Sequence, residues 1–101
     1  MIKIEIGDAE KDLASADEHW INQQISRRRE DGQAVCVKVT IHKGDLNLVV
    51  STPTCGGAGG GNPLSPKETE VFGLWKQRGL DKADFTVGDL VAFLKQIRRF
   101  L

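Results

Sequence analysis

Between residues 34 and 51 the chain alternates apolar and polar side chains almost without interruption. Val35, Val37, Val39 and Ile41 interleave with Cys36, Lys38, Thr40 and His42. After Lys43-Gly44, Leu46, Leu48 and Val50 interleave with Asn47, Val49 and Ser51. A period of two places every second side chain on one face of a pleated strand. A two-residue turn at Lys43-Gly44 pairs Ile41 with Leu46, Val39 with Leu48 and Val37 with Val50 on one buried face. The other face then carries Lys38, Thr40, His42, Asp45, Asn47 and Ser51. A two-stranded ribbon with one greasy side is not stable alone, so the rest of the chain must cover it.

The flanking segments supply that cover. Ile2, Ile4 and Ile6 alternate with Lys3 and Glu5, a further half-buried strand that ends at Gly7. Residues 8–14 are polar and carry no clear period. Ser15-Ala16-Asp17-Glu18 has the form of a capping box, so a helix follows to about Glu30 with Ala16, Trp20, Ile21 and Ile25 as its apolar stripe. Gly32 suits its stop. Ser65-Pro66-Lys67-Glu68 opens a second helix with Val71, Phe72, Leu74 and Trp75, which stops near Gly79. Thr86 caps a third, whose stripe is Val87, Leu90, Val91, Leu94, Ile97 and Leu101. The expected fold class is α+β: a small three-stranded mixed sheet in β-α-β-β-α-α order, with the helices packed on one face. If its two strands share the sheet, the first strand–helix–strand step is a right-handed parallel crossover; the pattern leaves strand order open. The 101 residues are expected to form a single domain over 1–101.

Charge narrows the function classes. Fourteen basic residues balance fourteen acidic ones, whereas phosphate-backbone binding calls for a basic surplus, so nucleic acid is a disfavoured partner. Residues 1–31 hold five basic and eight acidic side chains, and residues 32–101 hold nine and six, so the two parts differ in sign. Opposite-sign surfaces help to steer a protein partner. No run approaches the roughly 18 apolar residues of a membrane span, and the first residues do not read as a secretion signal. With two cysteines, Cys36 and Cys55, the chain is no disulfide scaffold, and the expected compartment is the cytoplasm with reduced thiols. No metal motif or cofactor is predicted.

The segment 52–65 breaks all periodicity, with five glycines between 56 and 61. It joins a strand to a helix, the arrangement that aims backbone N–H groups at an anion. Cys55, Gly56, Gly57, Gly59, Gly60, Gly61, Asn62 and Ser65 are therefore the candidate ligand-binding residues, with the amides of 55–67 as donors. The spacing fits neither a Gly-Lys-Ser phosphate loop nor the Gly-x-Gly-x-x-Gly fingerprint, and Pro63 and Pro66 each remove a donor. The competing reading is a plain connection between hairpin and helix. Cys55, close to a helix start, is either an inert loop cysteine or a nucleophile, but no arginine follows before Lys67 to hold an anion. His42 belongs at the far end of the hairpin, and nothing places His19.

Arg27, Arg28 and Arg29, and Lys95 with Arg98 and Arg99, fall at helix C-termini, where cations match the helix dipole. Phe93 and Phe100 flank the last stripe. They either extend the core or form an exposed partner-contact patch. No nucleophile–base–orienter set emerges. The leading expectation is a small soluble protein-interaction or regulatory module, with a homodimer or other protein as partner and an exposed sheet edge as the contact. The alternative is an anion- or small-ligand-binding protein that uses the glycine loop. A thiol enzyme based on Cys55 stands third.

Overall fold

The computed structural model describes residues 1–55 and 65–100. Its elements are β1 (Ile2–Ile6), β2 (Ala9–Asp12), α1 (Glu18–Glu30), β3 (Val37–Lys43), β4 (Leu46–Ser51), a short 3-10 turn (Pro53–Cys55), α2 (Pro66–Gln77) and α3 (Val87–Phe100). The α+β class and the helical cover hold. The sheet departs from expectation: it has four strands, in the order β2-β1-β3-β4, and every neighbouring pair is antiparallel. The expected parallel crossover is absent because β2 reverses the chain before α1, so β3 returns alongside β1 in the opposite sense.

Both hairpins turn on a Gly-Asp dipeptide. Ile6 faces Ala9 across Gly7-Asp8, and Lys43 faces Leu46 across Gly44-Asp45. Gly7 and Gly44 have φ of 61° and 59°, and no described non-glycine residue has a positive φ. A glycine with positive φ at the first central position is the II′ arrangement, whose twist matches that of the strands. This corrects the register expected for the second hairpin. A loop at Lys43-Gly44 would ask Lys43 for a positive φ. The loop therefore shifts to Gly44-Asp45, and Ile41 pairs with Leu48 and Val39 with Val50. The shift moves the pairing by two residues, so the same side chains stay on the buried face.

That face carries Ile4, Ile6, Val37, Val39, Ile41, Leu46, Leu48 and Val50, all buried under the helices. Ile21 and Ile25 come from α1, Val71 and Trp75 from α2, and Leu90, Phe93, Leu94 and Ile97 from α3. Trp75 and Phe93 meet edge to face, with ring centroids 5.1 Å apart and planes at 82°, an arrangement favoured by the ring quadrupoles. Trp20 is only partly buried; the Lys11 ammonium lies 5.2 Å from its ring centre.

The helix starts are set by side-chain caps. Asp17, rather than Ser15, caps α1 and accepts from the Trp20 N–H at 2.7 Å. Ser65 and Glu68 form the expected reciprocal capping box of α2. Thr86 and Asp89 do the same for α3, through Asp89 N–H to Thr86 Oγ1 at 3.1 Å and Thr86 N–H to Asp89 Oδ2 at 3.3 Å. Two of the three clustered arginines tie elements together. Arg28 donates to Asp8 Oδ1 at 2.5 Å. Arg29 donates to the Phe85 carbonyl at 2.6 Å and covers the Phe85 ring. Among the described residues no helix is long and apolar enough to cross a membrane.

Candidate functional site

The structure brings together the last residues of β4, the residue before β3 and the 3-10 turn. Thr52 continues the β3–β4 ladder by one rung. Its N–H donates to the Val37 carbonyl at 3.0 Å, and its Oγ1 accepts from the Val37 N–H at 3.1 Å. Oγ1 also lies 2.8 Å from Thr54 Oγ1, and Thr54 Oγ1 donates to the Val35 carbonyl. Cys55 N–H donates to the Thr52 carbonyl at 3.1 Å and closes the turn. Thr52 is 2% exposed, yet its polar atoms are all engaged, as a buried hydroxyl requires. Among the described residues no buried side-chain nitrogen or oxygen lacks a partner.

This network sets Cys55 against Cys36, with Cα atoms 4.6 Å apart, and the two form a disulfide. The expectation of two reduced thiols is corrected on that point. The reason lies in the topology: Cys36 stands at the open end of the hairpin, and the 3-10 turn folds Cys55 back over it. As a disulfide sulfur, Cys55 is no nucleophile. His42 sits at the turn end of the hairpin, where its Nδ1 is 3.1 Å from Asn47 Oδ1, and His19 is exposed on α1. Among the described residues no group of three or more His, Cys, Asp or Glu side chains could hold a metal.

The other predicted site residues are placed as follows. Gly56, Gly57, Gly59, Gly60, Gly61 and Asn62 lie outside the described residues. Ser65 is the N-cap of α2: its Oγ accepts from the Glu68 N–H, and its own N–H donates to Glu68 Oε1, both at 3.3 Å. Phe93 is fully buried against Trp75. This corrects its reading as a partner contact. It stands three residues after Leu90 and four before Ile97, on the same helical face and hence on the core stripe. The side chain of Phe100 lies outside the described set.

Sequence reasoning missed the contrast between the two sheet edges. β2 is a short edge strand of sequence Ala-Glu-Lys-Asp. Its Glu10 joins Glu5 around the Lys3 ammonium, with Nζ–O distances of 2.8 and 3.7 Å. The hydrogen bond to Glu10 is the main reason the Lys3 ammonium holds its proton above the usual 10.5. Charge and shortness are devices that blunt an edge against further pairing. β4 has neither. It reads Leu-Asn-Leu-Val-Val-Ser, with no charge, no proline and high strand propensity.

The ladder also fixes which backbone groups of β4 face outward. A two-residue turn closes on a hydrogen-bonded pair, here Lys43 and Leu46, and such pairs alternate along the strands. Ile41–Leu48, Val39–Val50 and the Val37–Thr52 rung follow in step. The N–H and C=O of Asn47, Val49 and Ser51 therefore point away from β3, and among the described residues they have no partner. Val49 is 51% exposed, in the middle of this edge. The strongest cue in the sequence was the absence of charge from residues 46–51.

A cleft of about 500 Å³ lies elsewhere, between Ile2, the Asp12–Ala14 segment and Arg98. Arg98 is already engaged there, donating to the Leu13 carbonyl at 2.7 Å. Compared with protein-family models, curated proteins and solved structures, the chain gave no match.

Proposed function

We propose that this chain is a protein-interaction module that works by strand addition along the outer edge of β4. The observation that carries the reading is the row of outward N–H and C=O groups at Asn47, Val49 and Ser51 on an uncharged strand with exposed Val49. Such a row offers main-chain hydrogen bonds to an extended segment of a partner. The covalent and hydrogen-bonded closure beyond Ser51 holds the strand end in place, so little ordering is left to do on binding. A second copy is the occupant this edge fits best. Antiparallel pairing about a two-fold axis sets Val49 opposite Val49 and Asn47 opposite Ser51, with no like charges facing each other.

The alternative, anion binding by the amides of 55–67, has less in its favour among the described residues. Cys55 N–H is bonded to Thr52, Ser65 N–H to Glu68 and Glu68 N–H to Ser65. The Glu68 carboxylate already occupies the positive end of α2.

Light scattering across a hundredfold concentration range, together with amide exchange, tests the proposal. The expected result is a concentration-dependent dimer that Val49→Lys abolishes while leaving the fold intact. A monomer at all concentrations, with the Asn47, Val49 and Ser51 amides protected from exchange, would show the edge to be closed within the chain and would defeat the reading.

A further inference from the structure

We infer that Cys36 and Cys55 form a reversible thiol–disulfide site that exchanges with small monothiols of the glutathione type, and that Thr52 is its positioning residue. The inference is independent of the strand-addition reading.

Three observations converge on it. First, the contacts that set Cys55 beside Cys36 do not depend on the S–S bond. Thr52 holds Val37 through two hydrogen bonds, Cys55 N–H is held by the Thr52 carbonyl, and Thr54 is tied to the Val35 carbonyl. A dithiol formed here keeps its two sulfurs close, so the bond can close again without a search through unfolded states. Second, the surroundings suit the reduced state as well as the oxidised one. Cys55 Sγ lies 3.5 Å from the Val37 carbonyl oxygen and 3.7 Å from Thr52 Oγ1. In the disulfide the carbonyl has no proton to accept from this sulfur. In the dithiol the Cys55 S–H can donate to it, and the Thr52 hydroxyl can turn its proton from Thr54 Oγ1 to a transient thiolate. Third, both cysteines are partly exposed, so a thiolate from solution can reach the bond, unlike one sealed in the core.

The chemistry balances as two exchange steps. A monothiol thiolate attacks Cys36 Sγ. The S–S bond breaks, and its electron pair leaves on Cys55 Sγ, beside the Thr52 hydroxyl; this thiolate then takes a proton from water. A second monothiol thiolate attacks the monothiol sulfur of the mixed disulfide. Cys36 departs as a thiolate and is protonated, and the two monothiols leave joined by a disulfide. Two electrons pass to the protein, and two monothiols are oxidised to one disulfide.

The test equilibrates the full chain in buffers of stepped reduced-to-oxidised glutathione ratio, traps free thiols by alkylation and reads intact mass. Circular dichroism and tryptophan fluorescence are recorded at both ends of the series. The expected result is a single two-electron transition in the absence of denaturant, with the fold retained in the dithiol form. Thr52→Val removes the tether that keeps the two thiols of the reduced form together and so lowers the effective concentration of one at the other; it should move the midpoint toward the dithiol by roughly tenfold, and Thr52→Ser should restore it. Thr54→Val tests the same network at a partly exposed position, should the Thr52 variant fail to fold. A bond that resists excess glutathione until urea is added would overturn the proposal. So would a chain that forms no disulfide in oxidised glutathione, or variants at both threonines that fold but leave the midpoint within twofold.

Discussion

Removing the cross-link is the perturbation whose cost follows most directly from the structure. Cys36 and Cys55 are separated by 19 positions. In the chain-entropy treatment, closing a loop of that length lowers the entropy of the unfolded chain enough to contribute about 3 kcal/mol at 25 °C. Little native-state loss adds to this, because Thr52, Thr54 and Cys55 N–H keep their hydrogen bonds without the sulfur bridge. The double variant Cys36→Ala, Cys55→Ala should therefore lose about 3 kcal/mol and still fold, since a domain of this size has roughly 5–15 kcal/mol in hand. Its denatured state, freed of the ring, exposes more surface, so the urea m-value should rise. Urea unfolding followed by tryptophan fluorescence reads both quantities, with Trp75 buried against Phe93 as the reporter. A loss below about 1 kcal/mol, against the loop-length expectation, would mean that the denatured chain is already confined near the hairpin. An unfolded variant would mean that the threonine network cannot hold the hairpin end without the bridge.

Two further perturbations separate neighbouring effects. Gly44→Ala forces a positive φ on an L-residue in open space and should cost about 1–2 kcal/mol. Gly7→Ala carries the same backbone cost and also pushes aside the Arg28 guanidinium, whose Nε would stand 2.4 Å from the new Cβ, so its excess over Gly44→Ala reports the Arg28 bonds to Asp8 and Gln24; paired denaturation curves compare them. The Asp8 carboxyl sits below its usual 3.8, chiefly through the hydrogen bond from Arg28. Its contribution is thus present above the unfolded-state pKa and disappears as pH falls through the lowered folded-state value. Asp8→Asn should flatten that acid limb in thermal melts taken between pH 2 and 6, and an unchanged limb would place the pair outside the stability of the fold.

Much of the fold was legible because its determinants are local. Alternation at 35–51 and at 2–6 marked three strands, and Ser65-Pro66-x-Glu68 and Thr86-x-x-Asp89 marked two helix starts by chemistry that acts within one turn. β2 was hidden because Ala-Glu-Lys-Asp carries no apolar period; it is held by backbone pairing and by Lys3–Glu10. The Gly7-Asp8 dipeptide was the available cue, being the same pair that turns the second hairpin. The cysteine pairing was hidden for a different reason. It depends on where a 3-10 turn aims Cys55, which one threonine and two carbonyls in space decide. Phe93 reads as either core or partner contact because it stands on the flank of the α3 stripe, and only the packing against Trp75 decides for the core. Of the proposed loop site, Cys55 and Ser65 can be described, and both are occupied by internal bonds.

The strand order also carries a kinetic consequence. The sheet is two hairpins laid side by side, β1–β2 and β3–β4, each closing over two residues. Such ribbons can form within microseconds. The seam between them is different: Ile4 meets Val39 only after the whole of α1 has been spanned, so this pairing must offset the larger loop-closure entropy. The rate-limiting event in folding is therefore expected at the β1–β3 seam, with α1 docked over it through Ile21 and Ile25. Substitutions at Ile4 or Val39 should slow folding, whereas those in the outer strands should chiefly hasten unfolding.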